Sequence, residues 1–185
     1  MFGLSSNLRS AKEALEYVNK RMTIGSSNRT ESSLEAKKCV PLMKSKDPGL
    51  KDAAAGIREM AARAEEWRCG NCGELAAVAF MFLVSRGKGP LDFISFAPHK
   101  DHAFVMIGRA DGRIQDPFSW GEETVICDPW DRKAYWNETS KTATAYAATE
   151  LDHKMYCRPI FPHWFTLLHR VELVLEREQP NLAMA

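Results

Sequence analysis

The stretch Arg68-Cys69-Gly70-Asn71-Cys72-Gly73-Glu74-Leu75 sets how the rest of the chain is read. A polar, glycine-bearing turn runs directly into an apolar segment, residues 75–84, which ends at Arg86-Gly87. That pattern is a tight loop opening a buried helix. The first N–H groups of a helix have no intrahelical partner, and the positive end of the macrodipole lies there. Both effects favour a thiolate over a thiol. Cys72, not Cys69, stands at the helix mouth, with Gly70 and Gly73 keeping the backbone open around it.

Working back from this stretch, residues 52–67 are alanine-rich, with Ile57, Met60 and Ala64 at helical spacing, and read as a helix. Residues 34–43 read as a second helix broken at Pro41, and residues 44–49 as a loop. Residues 23–33 are polar and turn-rich and read as a linker. A helix within residues 1–22 is expected to be capped by Ser10, with Glu13 three residues on. Residues 1–45 together suggest a flexible N-terminal helical segment.

Working forward, residues 91–97 and 103–108 are strand candidates, with a turn at Asp111-Gly112. Residues 124–127 form a short β-branched strand stopped by Asp128-Pro129. Residues 142–151 read as a helix, residues 171–176 as a last strand or helix, and residues 180–185 as a frayed end. Helices first and antiparallel strands after make the fold class α+β. The helix bearing the cysteine is expected to pack on the sheet.

At 185 residues and 45% apolar content the chain is read as a single domain with a full core. A formal charge of +1 gives no electrostatic argument for nucleic acid. No apolar run approaches the roughly 20 residues that span a bilayer. Residues 1–10 lack a signal-peptide core. Five cysteines cannot all pair within one chain, and without an export signal reduced thiols are expected.

A nucleophilic cysteine needs a base, and the base needs an orienting group. His102 begins the apolar run Asp101-His102-Ala103-Phe104-Val105-Met106-Ile107, and Asp128 closes Val125-Ile126-Cys127. Pairing these strands antiparallel would put a carboxylate within about 2.6–3.2 Å of an imidazole nitrogen. The helix would then aim Cys72 at the other nitrogen, and Trp130 would shield the pair from water. Asp116 is the rival acid, because it also precedes a proline. Asp128 is preferred because three apolar residues lead into it.

These residues, Gly-Asn-Cys72-Gly-Glu-Leu-Ala, Asp-His102-Ala-Phe-Val-Met-Ile-Gly and Val-Ile-Cys-Asp128-Pro-Trp, resemble the papain-like and transglutaminase-like cysteine-enzyme superfamily. Within it they are most similar to small bacterial effector and toxin domains. The likeness covers about residues 66–136. It implies a papain-like fold, with Cys72 as nucleophile, His102 as general base and acid, and Asp128 as orienting acid. The implied activity is that of a cysteine hydrolase on protein amides, either a thiol protease or a glutamine deamidase. A transglutaminase-like acyl transferase and a non-catalytic papain-fold binding module are the alternatives. No cofactor or metal is implied, and nothing suggests a coenzyme A site. The partner would be a protein substrate of a host or rival cell, with no nucleic acid and no membrane span. The protein would work in the bacterial cytoplasm or be delivered to a target cell by a specialised secretion system. Papain-type enzymes also carry a glutamine shortly before the cysteine. Here residues 64–68 are Ala-Glu-Glu-Trp-Arg, so the backbone N–H of Cys72 is one oxyanion donor and the second is open.

Other readings of the same residues stand beside this one. Cys69-Gly-Asn-Cys72 has the spacing of a redox pair. A zinc site there would need two more ligands, from Cys127, Cys157 or His153. Cys39 and Cys157 read as structural. Glu74 reads as a solvated first-turn residue favoured by the dipole. His99, His153, His163 and His169 have weaker settings than His102. Trp120, Trp130 and Trp136 are either cleft walls or core.

Overall fold

The computed structural model describes residues 3–29, 32–45, 52–96, 102–110, 112–116, 119–131, 133–137, 145–147 and 165–171. For residues 133–137, 145–147, 165–169 and 171 it describes the backbone. Four helices come first: α1 Leu4–Arg21, α2 Leu34–Lys44, α3 Ala53–Trp67 and α4 Cys72–Ser85. Six strands follow: β1 Leu91–Phe96, β2 Ala103–Ile107, β3 Val125–Asp128, β4 Lys133–Asn137, β5 Ala145–Ala147 and β6 Phe165–Val171. They form one antiparallel sheet in the order β5-β4-β3-β2-β1-β6. The fold is α+β, as the sequence suggested.

α4 is the centre of the molecule. Leu75, Ala76, Ala77, Val78, Ala79, Phe80 and Leu83 are all buried, on every side of the helix. A helix that is apolar all round must be enclosed. α1 and α3 pack against it, and it covers β1 and β2, where Phe80 meets Phe93 edge-on at 5.8 Å. Its alanines let these neighbours come close. The sheet's other face carries a smaller cluster of Ile94, Phe104, Met106, Trp120 and Ile126. Trp120, 1% exposed, is therefore core and not a cleft wall.

Several elements differ from the sequence reading. α1 begins at Leu4 with Gly3 as its N-cap, and Ser10 lies inside the helix, its hydroxyl donating to Ser6 O at 3.0 Å. Ala11, Ala14 and Val18 of α1 are buried in the main core, against α4 and β3, so the segment read as flexible supplies part of that core. α2 runs through Pro41 instead of breaking there. Proline removes one N–H, and here only the last turn follows it. Residues 145–147, read as helix, form β5 against β4. Alanine favours helix, but threonine and tyrosine favour strands, and pairing with a neighbouring strand outweighs the alanines' preference. The remainder of that expected helix, the residues after Val171 and the expected frayed end lie outside the described residues, as do His99, His153, His163 and Cys157.

Candidate active site

α4 starts at Cys72, with Asn71 as its N-cap. The Asn71 N–H donates to Glu74 Oε2 at 2.7 Å, closing the helix mouth from within. Glu74 is 7% exposed, and its other oxygen lies 3.3 Å from Lys44 Nζ. It is a buried structural carboxylate, which corrects its reading as a solvated residue. Gly70 is required by close approach: a Cβ there would lie 2.5 Å from Glu74 Cβ.

β2 and β3 pair with Val105 opposite Cys127 and Ile107 opposite Val125. This register brings His102, just before β2, to Asp128, the last residue of β3. His102 Nε2 donates to Asp128 Oδ2 at 2.6 Å, and the Asp131 N–H donates to Asp128 Oδ1 at 3.1 Å. Both carboxylate oxygens are thus fixed. With Nε2 engaged, Nδ1 is left for the Cys72 sulfur, which is hydrogen-bonded to the ring. Burial alone would push the imidazole pKa down. The hydrogen bonds the ring donates to Asp128 and then Cys72, with the charge of both, outweigh it and raise the ring to about 10. The structure therefore brings Cys72, His102 and Asp128 together. Asp116 does not join them. It sits in the turn between β2 and β3, with its N–H bonded to Arg113 O and its carbonyl accepting from Ser119.

Trp130 stands edge-on to His102, ring centroids 5.6 Å apart, and Arg29 lies over the indole at 5.0 Å. Trp130 is thus a tryptophan of the site. The segment read as a linker forms the adjoining wall. Ile24 N donates to Arg68 O at 3.0 Å, Ser26 Oγ to Gly70 O at 2.7 Å, and Ser27 N to Asn71 Oδ1 at 3.0 Å. No local sequence signal ties these residues to a loop 44 positions away.

The other cysteines divide cleanly. Cys39 and Cys69 form a disulfide joining α2 to the loop before α4. Their Cα atoms are 6.3 Å apart, within the range a disulfide bridges. This corrects the expectation of reduced thiols and occupies Cys69, leaving Cys72 outside a C-x-x-C pair. Cys127 is fully buried, and burial followed by the Asp128 charge pushes its thiol up. Among the described residues no group of three or more His, Cys, Asp or Glu side chains is arranged to hold a metal, and no helix is long and apolar enough to cross a membrane.

No protein family, curated protein or solved structure matches the chain.

Proposed function

We propose that the chain is a cysteine hydrolase acting on protein amides, built on a papain-like arrangement and resembling bacterial effector-type proteases and glutamine deamidases. One observation carries the reading: a half-buried imidazole holds Asp128 at 2.6 Å on one nitrogen and leaves the other for a cysteine at the N-terminus of a helix. A structural histidine needs one satisfied partner. This one is gripped between an acid and a sulfur, and the grip keeps it protonated at neutral pH.

The chemistry follows from that polarity. Cys72, as thiolate, attacks the amide carbon, and the C=O electron pair moves onto oxygen. His102 gives its Nδ1 proton to the leaving nitrogen as the C–N bond breaks, leaving a thioester. Water then attacks the thioester, losing a proton to His102, and Cys72 leaves as thiolate. Asp128 holds the ring's orientation and stabilises its charged form throughout. Cleavage and deamidation differ only in whether the nitrogen lost belongs to the main chain or to a glutamine side chain.

Intact-mass analysis of proteins from bacterial and eukaryotic lysates, incubated with the protein or its Cys72→Ala variant, tests this. Cleavage splits a chain, and deamidation adds about one dalton to it. If no mass change depends on Cys72, the reading fails.

A further inference from the structure

Residues 24–27 and 68–71 run side by side in a constant offset of 44. Ile24 N meets Arg68 O, Gly25 bridges Cys69 in parallel, Ser26 Oγ reaches Gly70 O, and Ser27 N reaches Asn71 Oδ1. The Gly70 N–H adds a bond to Gly25 O at 3.1 Å. Asn28 follows Ser27, whose N–H is bonded to the side chain of Asn71, the residue before Cys72. From the opposite side, Trp130 Nε1 donates to Asn28 Oδ1 at 2.9 Å, and Trp130 is the residue standing against His102. Asn28 thus links the strip bonded to the cysteine loop with the tryptophan that stands against His102.

The bond to Trp130 also fixes which way the amide points. An indole N–H only donates, so the Asn28 atom it meets is the oxygen. Nδ2, with its two N–H groups, is on the other limb, and among the described residues it has no hydrogen-bond partner. A hydrogen bond to the amide oxygen polarises the group and strengthens its N–H donors. Asn28 is exposed, so a substrate can reach it.

We propose that Asn28 Nδ2 is the second oxyanion donor, acting with the backbone N–H of Cys72 at the mouth of α4. The proposal rests on the cysteine-hydrolase reading. It assigns a catalytic role to a residue from the segment before α2, on a strip of chain tied to the cysteine loop.

The test compares two reactions of the same thiolate on the full chain. With 4-nitrophenyl acetate, the Cys72 sulfur bonds to the carbonyl carbon and the π pair moves onto oxygen. That oxyanion then collapses, restoring C=O and expelling 4-nitrophenolate with the C–O electron pair. With iodoacetamide, sulfur displaces iodide at a methylene carbon and no oxyanion forms. The readout is the ratio of acylation rate to alkylation rate, which cancels changes in thiolate supply. Asn28→Ala removes the donor. Asn28→Asp keeps an acceptor for the indole and offers no N–H. The ratio is expected to fall about 100-fold in both variants, the scale on which a lost oxyanion donor acts. An unchanged ratio in either variant overturns the assignment, since Asn28 then only holds Trp130. A wild-type protein that is alkylated at Cys72 but never acylated there overturns the hydrolase reading, and this assignment with it.

Discussion

His102 Nε2 and Asp128 Oδ2 lie 2.6 Å apart although 26 residues separate them in sequence. Two short strands make that contact: the β2–β3 register fixes both residues at the same end of the sheet. Asp128→Asn keeps the shape and one acceptor but leaves the ring free to take the wrong tautomer. Turnover is expected to fall by about 10⁴-fold with the fold intact, as in other triads. Asp116→Asn should leave turnover unchanged. The opposite pattern would mean that the acid is misassigned.

The pH dependence of stability has a definite sign. His102 titrates at about 10 in the folded protein, above its ordinary 6.5. A group bound more tightly to its proton when folded stabilises the fold fully below the unfolded pKa and loses that contribution as pH rises through the folded one. Between pH 6.5 and 10 the protein should therefore lose stability that it holds at pH 6, on the order of a few kcal/mol. Thermal melts across this window should slope less steeply for His102→Gln than for the native chain. Parallel curves would show that the imidazole is not held charged.

How much of this was legible in the sequence depended on how local each signal is. The start of α4 could be read because glycines, an N-cap asparagine and a following apolar run are neighbours in the chain. β2 and β3 could be read because β-branched and apolar runs end at polar or proline residues, and the juxtaposition of His102 with Asp128 followed from pairing them. The wall formed by residues 24–29 could not be read. Its serines, asparagine and glycine are also the composition of a linker, and its partners are 44 residues away. The Cys39–Cys69 bridge depends on how α2 lies against the cysteine loop, which no spacing rule supplies. Lys133–Asn137 and Ala145–Ala147 became strands through pairing with each other and with β3, a tertiary choice that a local pattern does not encode.

Thiol chemistry should separate the cysteines in a fixed order. Iodoacetamide at neutral pH should label Cys72 first. Cys127 should stay unlabelled until the protein unfolds, because it is fully buried and its thiol is pushed up. Cys39 and Cys69 should label only after reduction. Peptide mapping after timed labelling checks this. Labelling of Cys69 before any reductant is added would contradict the bridge.

The bridge itself should stabilise the fold. It closes a loop of 30 residues in sequence separation, for which the chain-entropy account gives about 3–4 kcal/mol. The double variant Cys39→Ser, Cys69→Ser is the proper comparison, since a single change would leave a thiol free beside Cys72. Urea unfolding should show a lower midpoint for the double variant. A loss below about 1 kcal/mol would mean that neighbouring hydrogen bonds already hold the loop as firmly as the sulfur does.

Gly70 and Gly73 flank the site in sequence but should respond oppositely to alanine. At Gly73 a new Cβ would meet only Met60 Sδ, at 3.7 Å, an ordinary contact. Gly73 is the second residue of α4, where alanine is the better helix former, so Gly73→Ala should be neutral or stabilise by up to about 1 kcal/mol. At Gly70 the new Cβ would lie 2.5 Å from Glu74 Cβ and 3.2 Å from Glu74 Cγ. The backbone cannot retreat easily, because Gly70 N is bonded to Gly25 O and Gly70 O accepts from Ser26. Glu74 would have to swing away instead. That movement breaks its bond to the Asn71 N–H and its pairing with Lys44, leaving a buried carboxylate unmatched at the helix mouth. Gly70→Ala should cost about 2–3 kcal/mol and slow Cys72 alkylation together with turnover, since the loop that aims the sulfur shifts with it. Chemical denaturation and alkylation kinetics on the two variants decide the matter. If Gly70→Ala is as stable and as reactive as Gly73→Ala, the Glu74 clamp does not set the geometry of the cysteine.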